Sequence, residues 1–217
     1  RKGSPMEDIN TNLSEGAQSL SADGKVLVFT ACNRRDGEGS CDLYFSDVKN
    51  GRWTKPANMG PPINTAAWES QPSISADGRT LYISWAPNFN SNNRDIRVSH
   101  RRSDGAWTQP RSLGEEINTP YSEQSPFIHP DGQTLYFMSN GHPGFGSHDL
   151  FVSRLQPDGQ WGTPRNLGVP INTAAAEGAM IISLDGETAY FTADRANPAA
   201  EGLSAFEKPN SKGNSDI

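Results

Sequence analysis

The sequence has little of three features that would assign it to a functional class at once. Its 217 residues include only two cysteines, too few for the four protein ligands of a usual structural zinc site. No apolar run approaches the roughly 18 residues of a membrane-spanning helix, and no signal peptide is visible, so we expect a mature or trimmed chain without a membrane span. The net charge of -6 disfavours nucleic acid as a partner, because nonspecific affinity comes largely from Lys and Arg on phosphates.

A repeat of constant length organises the chain. The tripeptide Ile-Asn-Thr, followed four residues after its Thr by a Glu, occurs four times at intervals of 54 residues (positions 9, 63, 117 and 171). An Asp-Gly pair keeps the same interval, and so do a Trp and the Pro that follows it in the first three units. Such an interval indicates a structural repeat, and periods of this length are typical of propellers and solenoids.

The second unit predicts four short strands, at 71–75, 80–84, 95–99 and 106–110. Asp77-Gly78 supplies the tight turn between the first two, and Pro110 marks the fourth as an edge strand. The second strand of every unit is almost continuously apolar, which indicates burial on both faces. No stretch shows a helical period. The sequence therefore predicts an all-β fold, a β-propeller of four-stranded antiparallel blades.

The ends of the sequence do not coincide with blade boundaries. We expect one propeller domain over 1–217, with three complete blades and one split blade whose parts lie near 1–6 and 214–217. Two arrangements are open: a closed ring of four blades, or part of a larger ring. The first six residues lack the Trp and most of the repeat pattern, which favours the larger ring. Trp53, Trp107 and Trp161 are expected to pack between blades.

The two cysteines lie in the first unit. Cys32 and Cys41 flank a polar, glycine-rich stretch at 33–40 that is typical of a hairpin loop. A disulfide across the ends of the hairpin fits this arrangement and implies an oxidising compartment. The alternative is a pair of free thiols in a reducing cell.

The units resemble the TolB-type WD-like β-propeller repeat over almost the whole chain, in the pattern Ile-Asn-Thr, Glu, Ser-x-Asp-Gly-x-x-Leu-Tyr-Phe and Gly-x-Trp-x-x-Pro-x-x-Leu-Gly. The form is similar to the propeller of Bacteroidetes OmpA-family outer-membrane lipoproteins, the PorE-like components of type IX secretion. The resemblance implies a non-enzymatic scaffold in the periplasm, associated with the outer membrane, that binds envelope proteins. It implies no cofactor, and the peptidoglycan-binding module of that family has no counterpart in this sequence.

The repeated glutamates are the most obvious candidates for chemistry. We expect them to ring the axis, where they could hold a cation, but their recurrence favours a structural role as acceptors for backbone amides at the crossovers between blades. A glycosidase would need two close carboxylates of different pKa, and repeat equivalence gives no reason for such a difference. An enzyme is therefore not expected. Ser147-His148-Asp149 is not a catalytic triad either, because neighbours on a strand point to opposite faces. The glutamates are Glu15, Glu69, Glu123 and Glu177.

Departures from the repeat are concentrated between the second and third strands of each unit. These loops are expected to share one face with the Ile-Asn-Thr crossovers and to bind a protein, a peptide or a glycan there; the alternative is that they are only solvated loops. Aromatic residues and Arg are enriched at binding hot spots. The predicted binding residues are Trp85, Asn88, Arg94, His142, Phe145 and Arg195. A carbohydrate-binding or glycoside-hydrolase-like propeller is the alternative function.

Overall fold

The computed structural model describes Met6, residues 9–183 and residues 185–194. Within these residues the chain forms fifteen strands and no helix, so the described part contains no helix that could cross a membrane. The all-β prediction is confirmed. The predicted split blade depends on residues of which only Met6 is described, so the domain extent of 1–217 stays a prediction.

The strands form successive antiparallel blades, and the innermost strand of each blade comes first in sequence. The first blade contains β1 (Ser14–Leu20), β2 (Val26–Cys32), β3 (Cys41–Lys49), β4 (Arg52–Trp53) and β5 (Ala57–Asn58). The second contains β6 (Trp68–Ile74), β7 (Thr80–Ala86), β8 (Asp95–His100) and β9 (Arg111–Ser112). The third contains β10 (Glu123–Ile128), β11 (Thr134–Ser139), β12 (Asp149–Arg154) and β13 (Arg165–Asn166). The fourth is described for β14 (Glu177–Ile182) and β15 (Ala189–Ala193).

The outermost strand differs from its prediction. The stretch 106–110 makes only an isolated bridge from Trp107 to Arg101, and regular pairing with β8 begins after Pro110. Proline has no N–H to donate to the ladder. The side chain of Thr108 takes over part of the pairing, because its hydroxyl accepts the N–H of His100 at 2.9 Å. The outer strand is therefore divided at the proline.

The Asp-Gly turns are confirmed and have a common construction. Gly78 has a φ of 68°, a left-handed conformation that glycine adopts without a steric penalty. The Asp77 carboxylate accepts the N–H of Arg79 at 3.0 Å and the hydroxyl of Ser75 at 2.6 Å. These bonds fix the register of β6 against β7.

The innermost strands carry a bulge at the same repeat position. The left-handed residues there are Ala17, Gln71 and Ser125, each at a register shift between the first and second strands. A bulge turns a backbone amide out of the ladder. The N–H of Gln71 donates to the hydroxyl of Thr30, and that of Ser125 donates to the hydroxyl of Ser84, both at 3.1 Å. The bulges therefore join the second blade to the first and the third blade to the second.

Two of the repeated tryptophans, Trp107 and Trp161, pack between blades as predicted, whereas Trp53 contacts only the first blade in the described residues. Trp161 is buried in a cluster that includes Tyr82 of the preceding blade, and the two rings meet edge-on with centroids 6.1 Å apart. Trp107 packs against a cluster that spans the first and second blades, and Trp53 packs against the core of the first blade. Most of the core thus lies between blades.

The described part of the ring is open. Strands β14 and β15 form a sheet of their own, and within the described residues no hydrogen bonding joins them to β1. Both members of their cross-strand pair Ile181–Tyr190 are 55 % exposed. The total number of blades stays a prediction.

Candidate functional site

The Ile-Asn-Thr motif forms the crossover between blades. Its Ile is buried in the first three copies, with exposures of 6 %, 1 % and 0 % at Ile9, Ile63 and Ile117. The side-chain amide of its Asn pairs with the third strand as the backbone of a neighbouring strand would: Asn64 accepts the N–H of Leu43 at 2.9 Å and donates to the carbonyl of the same residue at 2.8 Å. Asn118 and Asn172 repeat this pairing with the third strands of the second and third blades. The motif extends the previous blade before the next one begins.

The repeated glutamate completes the crossover. Glu69 accepts the N–H and the hydroxyl of Thr65, at 3.2 and 2.6 Å. The other three copies make the same pair of bonds with their own Thr. The structural interpretation of the glutamates is confirmed. They do not ring the cavity on the axis as expected, because each is held beneath its own crossover and none is among the residues that line this cavity.

The expectation of equal glutamate pKa values is also wrong. Burial raises the pKa of Glu69 to about 7, and the bonds from Thr65 offset only part of that effect. Burial raises the pKa of Glu15 too, but hydrogen bonds from Thr11 and Arg34 outweigh it and bring this pKa below its ordinary value. Arg34 lies 3.0 Å from the Glu15 carboxylate. Burial makes most of the difference, because Glu69 is buried far more deeply than Glu15, and the Arg34 side chain adds a smaller contribution at Glu15.

The loops after the second strands lie on the same face as the crossovers, as predicted. In the first blade a Cβ at Gly39 would overlap the carbonyl oxygen of Ala67, and in the third blade Gly146 approaches Ala175 in the same way. Only glycine permits this close approach without displacing backbone. We call this end of the propeller, with its loops and crossovers, the loop face.

The loops of the first and third blades share a construction. Asp42 accepts the amides of Glu38 and Gly39, and Asp149 accepts those of Phe145 and Gly146. Asp149 therefore has the structural role that its place in the repeat indicates, and His148 beside it makes a backbone bridge to the next blade.

A cap with a basic or imidazole side chain covers the core under these two loops. Arg34 stacks 4.7 Å over the Tyr44 ring and donates to the carbonyl of Ile9 at 3.0 Å. His142 occupies the same repeat position in the third blade. Its ring contacts Phe137 and Phe151, and its Nε2 donates to the carbonyl of Ile117 at 2.9 Å. Arg34 and His142 thus make the same contact in their two blades: each donates to the carbonyl of the crossover Ile.

The second blade lacks this cap. The equivalent residue is Asn88, which is exposed and holds its own loop by accepting the amide of Asn90. The Arg97 guanidinium, from the third strand, lies 3.3 Å from the centroid of the Trp85 ring and covers the core instead. The loop at 87–93 is therefore free of a buried anchor of the Arg34 type.

Several of the predicted binding residues have internal contacts. Trp85 lies under Arg97, and His142 belongs to the cap of the third blade. Arg94 stacks 4.7 Å over Trp68 and donates to the side chain of Gln124, which joins the second blade to the third. Asn88 and Phe145 are exposed on the loop face. Arg195 lies outside the described residues. Binding by any of them stays a prediction.

Two exposed rings on the loop face were not predicted as binding residues. Phe89 is 58 % exposed at the loop of the second blade, and Tyr121 is 61 % exposed at the crossover to the third. The sequence contained a signal for Tyr121, since the equivalent crossover residues are Leu13, Ala67 and Ala175. Together with Phe145, 57 % exposed, these rings are the large exposed aromatic groups of the loop face in the part described.

The predicted disulfide is confirmed. Cys32 and Cys41 are bonded and face each other at the end of the β2–β3 hairpin, with Cα atoms 4.0 Å apart. The bridge packs against Trp68 and Ala86 of the next blade. It therefore stabilises both the loop and the boundary between the first two blades.

A cavity of about 500 Å³ lies on the axis and is lined by the innermost strands of all four blades. Among the described residues, its wall consists of small and apolar side chains with Ser and Gln, and no Asp, Glu or His of this part of the chain lines it. Nowhere in residues 6, 9–183 and 185–194 do three or more His, Cys, Asp or Glu residues form a group that could hold a metal.

Comparison with known proteins assigns the fold. No protein-family model matches the chain, and no curated protein matches it. Among solved structures, the chain is similar to TolB from Acinetobacter baumannii, with a TM-score of 0.60 and 13% identity over 89% of this chain and 40% of that one. It is also similar to an α-L-arabinofuranosidase from Lactobacillus brevis, with a TM-score of 0.50 and 16% identity over 82% and 64% of the two chains.

A puromycin hydrolase gives the same TM-score of 0.50, with 16% identity over 86% of this chain and 28% of that one. The chain has the TolB-like β-propeller fold. It spans less than two thirds of each of these structures. Since both a TolB and hydrolases share the architecture, fold alone does not assign a function.

Proposed function

We propose that this chain is a non-enzymatic interaction module that binds a protein partner through the loop face. The observation that carries the proposal is the exposure of three rings, Phe89, Tyr121 and Phe145, at 57–61 % on that face. Aromatic side chains that stay in water in the free protein are typical anchors of protein interfaces. The uncapped loop of the second blade supplies the first of them.

The chemistry of the repeated residues supports a binding role over a catalytic one. The four glutamates are engaged by their own Thr residues, and the described residues place no acidic or imidazole group in the lining of the axial cavity. Glu15 and Glu69 differ in pKa, but each serves the crossover of its own blade. General acid–base catalysis needs a titratable group within reach of a bound substrate.

The resemblance to OmpA-family lipoproteins and the disulfide extend the proposal to a location. We infer that the module works in the periplasm, an oxidising compartment where disulfides persist, in an outer-membrane-associated lipoprotein of a type IX secretion complex. We also infer that 1–217 belongs to one propeller with more than four blades. The open boundary at Ile181 and Tyr190 favours that arrangement.

The test compares two double variants in capture from envelope extract with chemical crosslinking. Phe89→Ala with Phe145→Ala removes two exposed rings from the loop face. Leu20→Ala with Ile181→Ala is the matched control, because these residues are 52 % and 55 % exposed at the opposite end of the axial cavity. Both variants are expected to stay folded. The first should lose about tenfold or more in capture of the partner retained by the unmodified protein, and the second should retain it.

Equal capture by all three proteins would overturn the loop-face assignment. Loss in the Leu20/Ile181 variant alone would transfer the binding surface to the axial cavity. The carbohydrate alternative is tested with the same proteins on a glycan array: binding that disappears with Phe89 and Phe145 would assign the rings to sugar stacking. An arabinofuranosidase on this architecture is the reason to include that arm.

A further inference from the structure

We propose that the groove between the first and second blades binds an aromatic side chain of a peptide segment in a protein partner. The groove has a volume of about 250 Å³ and is lined by Val28, Phe45, Met59 and Trp107, with Asp47 and Arg101 among its polar residues. This volume is below the 300–1,000 Å³ of common small-molecule pockets. It suits one side chain rather than a whole ligand.

The repeat itself indicates which side chain fits. In the next boundary between blades, the residue equivalent to Val28 is Tyr82, and its ring packs edge-on against Trp161, the equivalent of Trp107. The cross-strand partners change in step: Val28 pairs with Phe45, whereas Tyr82 pairs with Val98. The first blade therefore has its aromatic ring one strand farther from the axis. A ring that enters beside Trp107 would reproduce the contact seen at Trp161.

Trp107 and Trp161 differ as this exchange predicts. Trp161 is 7 % exposed, whereas Trp107 is only partly buried and forms part of the groove wall. Aromatic pairs in edge-on geometry are favourable beyond the apolar area that they bury. The exposed part of Trp107 is thus a surface on which a second ring gains the contact that Tyr82 provides elsewhere.

The charges in the groove indicate the residues that flank the incoming ring. Asp47 belongs to the first blade and Arg101 to the second. The guanidinium of Arg101 donates its Nε–H to the carbonyl of Gly105 at 3.2 Å, which leaves its terminal N–H groups for an external carboxylate. A peptide with a basic residue on one side of its aromatic residue and an acidic residue on the other complements this pair.

The groove lies toward the Asp-Gly end of the blades, with Gly78 and Gly105 in its lining, and is separate from the loop face. The inference does not depend on the proposed loop-face function. It would give a partner a second contact, on the outer side of the ring between two blades.

The test uses a blocked tripeptide, acetyl-Lys-Tyr-Glu-amide, and follows the indole N–H signals of the tryptophans by NMR. The Trp107 signal is expected to shift on titration and the Trp161 signal to stay. Acetyl-Lys-Ala-Glu-amide, which lacks the ring, should leave both in place. No shift at Trp107, or equal shifts from the peptide without the ring, would overturn the proposal.

Variants taken from the repeat provide the controls. Val28→Tyr with Phe45→Val copies the Tyr82–Val98 pair and fills the groove, so it should weaken tripeptide binding about tenfold or more. Unchanged binding in the folded variant would contradict the proposal. If this variant does not fold, Tyr82→Val makes the complementary test: it opens the equivalent space beside Trp161, whose signal should then respond to the tripeptide. If the indole N–H signal of Trp161 does not shift on titration in that variant, the proposal is also contradicted.

The charge contribution is tested separately. Arg101→Gln should weaken the Lys-Tyr-Glu peptide several-fold and leave acetyl-Lys-Tyr-Gln-amide unaffected, because only the first has a carboxylate beside the ring. Equal effects on both peptides would reject the role of Arg101 as the partner of an acidic residue.

Discussion

The first and second blades give the same repeated glutamate different pKa values. Glu15 and Glu69 each accept two hydrogen bonds from the Thr of their own crossover. Hydrogen bonds from Thr11, with a smaller contribution from Arg34, hold the pKa of Glu15 below its ordinary value, whereas deeper burial raises the pKa of Glu69 to about 7. Asn88 occupies the loop position of Arg34 in the second blade. Repeat equivalence preserves the fold of the crossover. The depth of burial sets most of the difference in pKa, and the neighbouring loop adds to it.

The same loop position also determines whether the loop is anchored to the core. The first and third blades use Arg34 and His142 to tie the loop to the carbonyl of the crossover Ile. The second blade covers its core from the third strand, with Arg97 over Trp85. Its loop can therefore vary without loss of the core, and it is the loop that exposes Phe89. A binding surface is most easily built where the fold makes no demand on the residues.

The largest expected effect is the loss of the cap in the first blade. Arg34→Ala removes a buried cation from Glu15 and from two aromatic rings. It should lower the free energy of unfolding by about 4 kcal/mol, since breaking a buried ion pair leaves an uncompensated charge. Asn88→Ala, at the equivalent and exposed position, should cost no more than about 0.5 kcal/mol. Urea unfolding of both variants measures the difference, and equal costs would remove the distinction between the two blades.

The second effect is a dependence of stability on pH. Glu69 has a folded-state pKa of about 7, above its ordinary value of 4.5, so the folded protein binds the extra proton and stability falls as pH rises between these values. The full loss is about 3 kcal/mol for this completely buried group. Glu69→Gln should remove that contribution. The unfolding free energies of both proteins from pH 4 to pH 8 provide the check, and parallel curves would rule out a protonated Glu69.

The third effect concerns the loop of the first blade, which the Cys32–Cys41 disulfide closes. Reduction of the Cys32–Cys41 bond should lower stability by about 2 kcal/mol, because the crosslink restricts the unfolded chain even around a short loop. Thermal unfolding with and without dithiothreitol measures this. The serine double variant should match the reduced protein and show no response to the reductant. A thiol count above zero in the untreated native protein would contradict the bridge.

The smallest effect is expected at the free loop of the second blade. Phe89→Ala should change the free energy of unfolding by less than about 0.5 kcal/mol, because the ring is 58 % exposed and surface substitutions rarely cost more. The same denaturant titration tests it. A loss of unfolding free energy near that of Arg34→Ala would show that the Phe89 ring stabilises the fold, and it would weaken the proposed binding role.

Most of the architecture could be predicted from the sequence because its determinants are local and repeated. The Asp-Gly turns, the apolar second strands, the tryptophans between blades and the cysteines at the hairpin ends all follow from short patterns. The divided outer strand was harder to predict, since it depends on Thr108 compensating for Pro110. That compensation is a side-chain contact rather than a pattern.

The site could be predicted only in part. The shared face of loops and crossovers follows from strand direction. The common role of Arg34 and His142 could not be predicted from the sequence. These residues lie 108 positions apart (142 − 34), and a guanidinium in one and an imidazole in the other donate to the carbonyl of the crossover Ile. The unequal pKa values of Glu15 and Glu69 depend chiefly on how deeply each carboxylate is buried, which the repeat pattern does not show. Single residues that depart from a repeat become interpretable only when their neighbours in space are known.

The most direct test of this account is a carboxyl-carbon NMR titration of Glu15 and Glu69 in the unmodified protein and in Arg34→Asn, which gives the first blade the residue of the second. We predict that Glu69 titrates near pH 7 and Glu15 below its ordinary value of 4.5. In the variant, the pKa of Glu15 should rise but stay well below that of Glu69, because the Thr11 hydrogen bonds remain and Glu15 is less deeply buried. A common pKa for both groups, or a Glu15 that does not respond to the loss of Arg34, would contradict the claim that unequal burial and the Arg34 contact give the repeated glutamate two different pKa values.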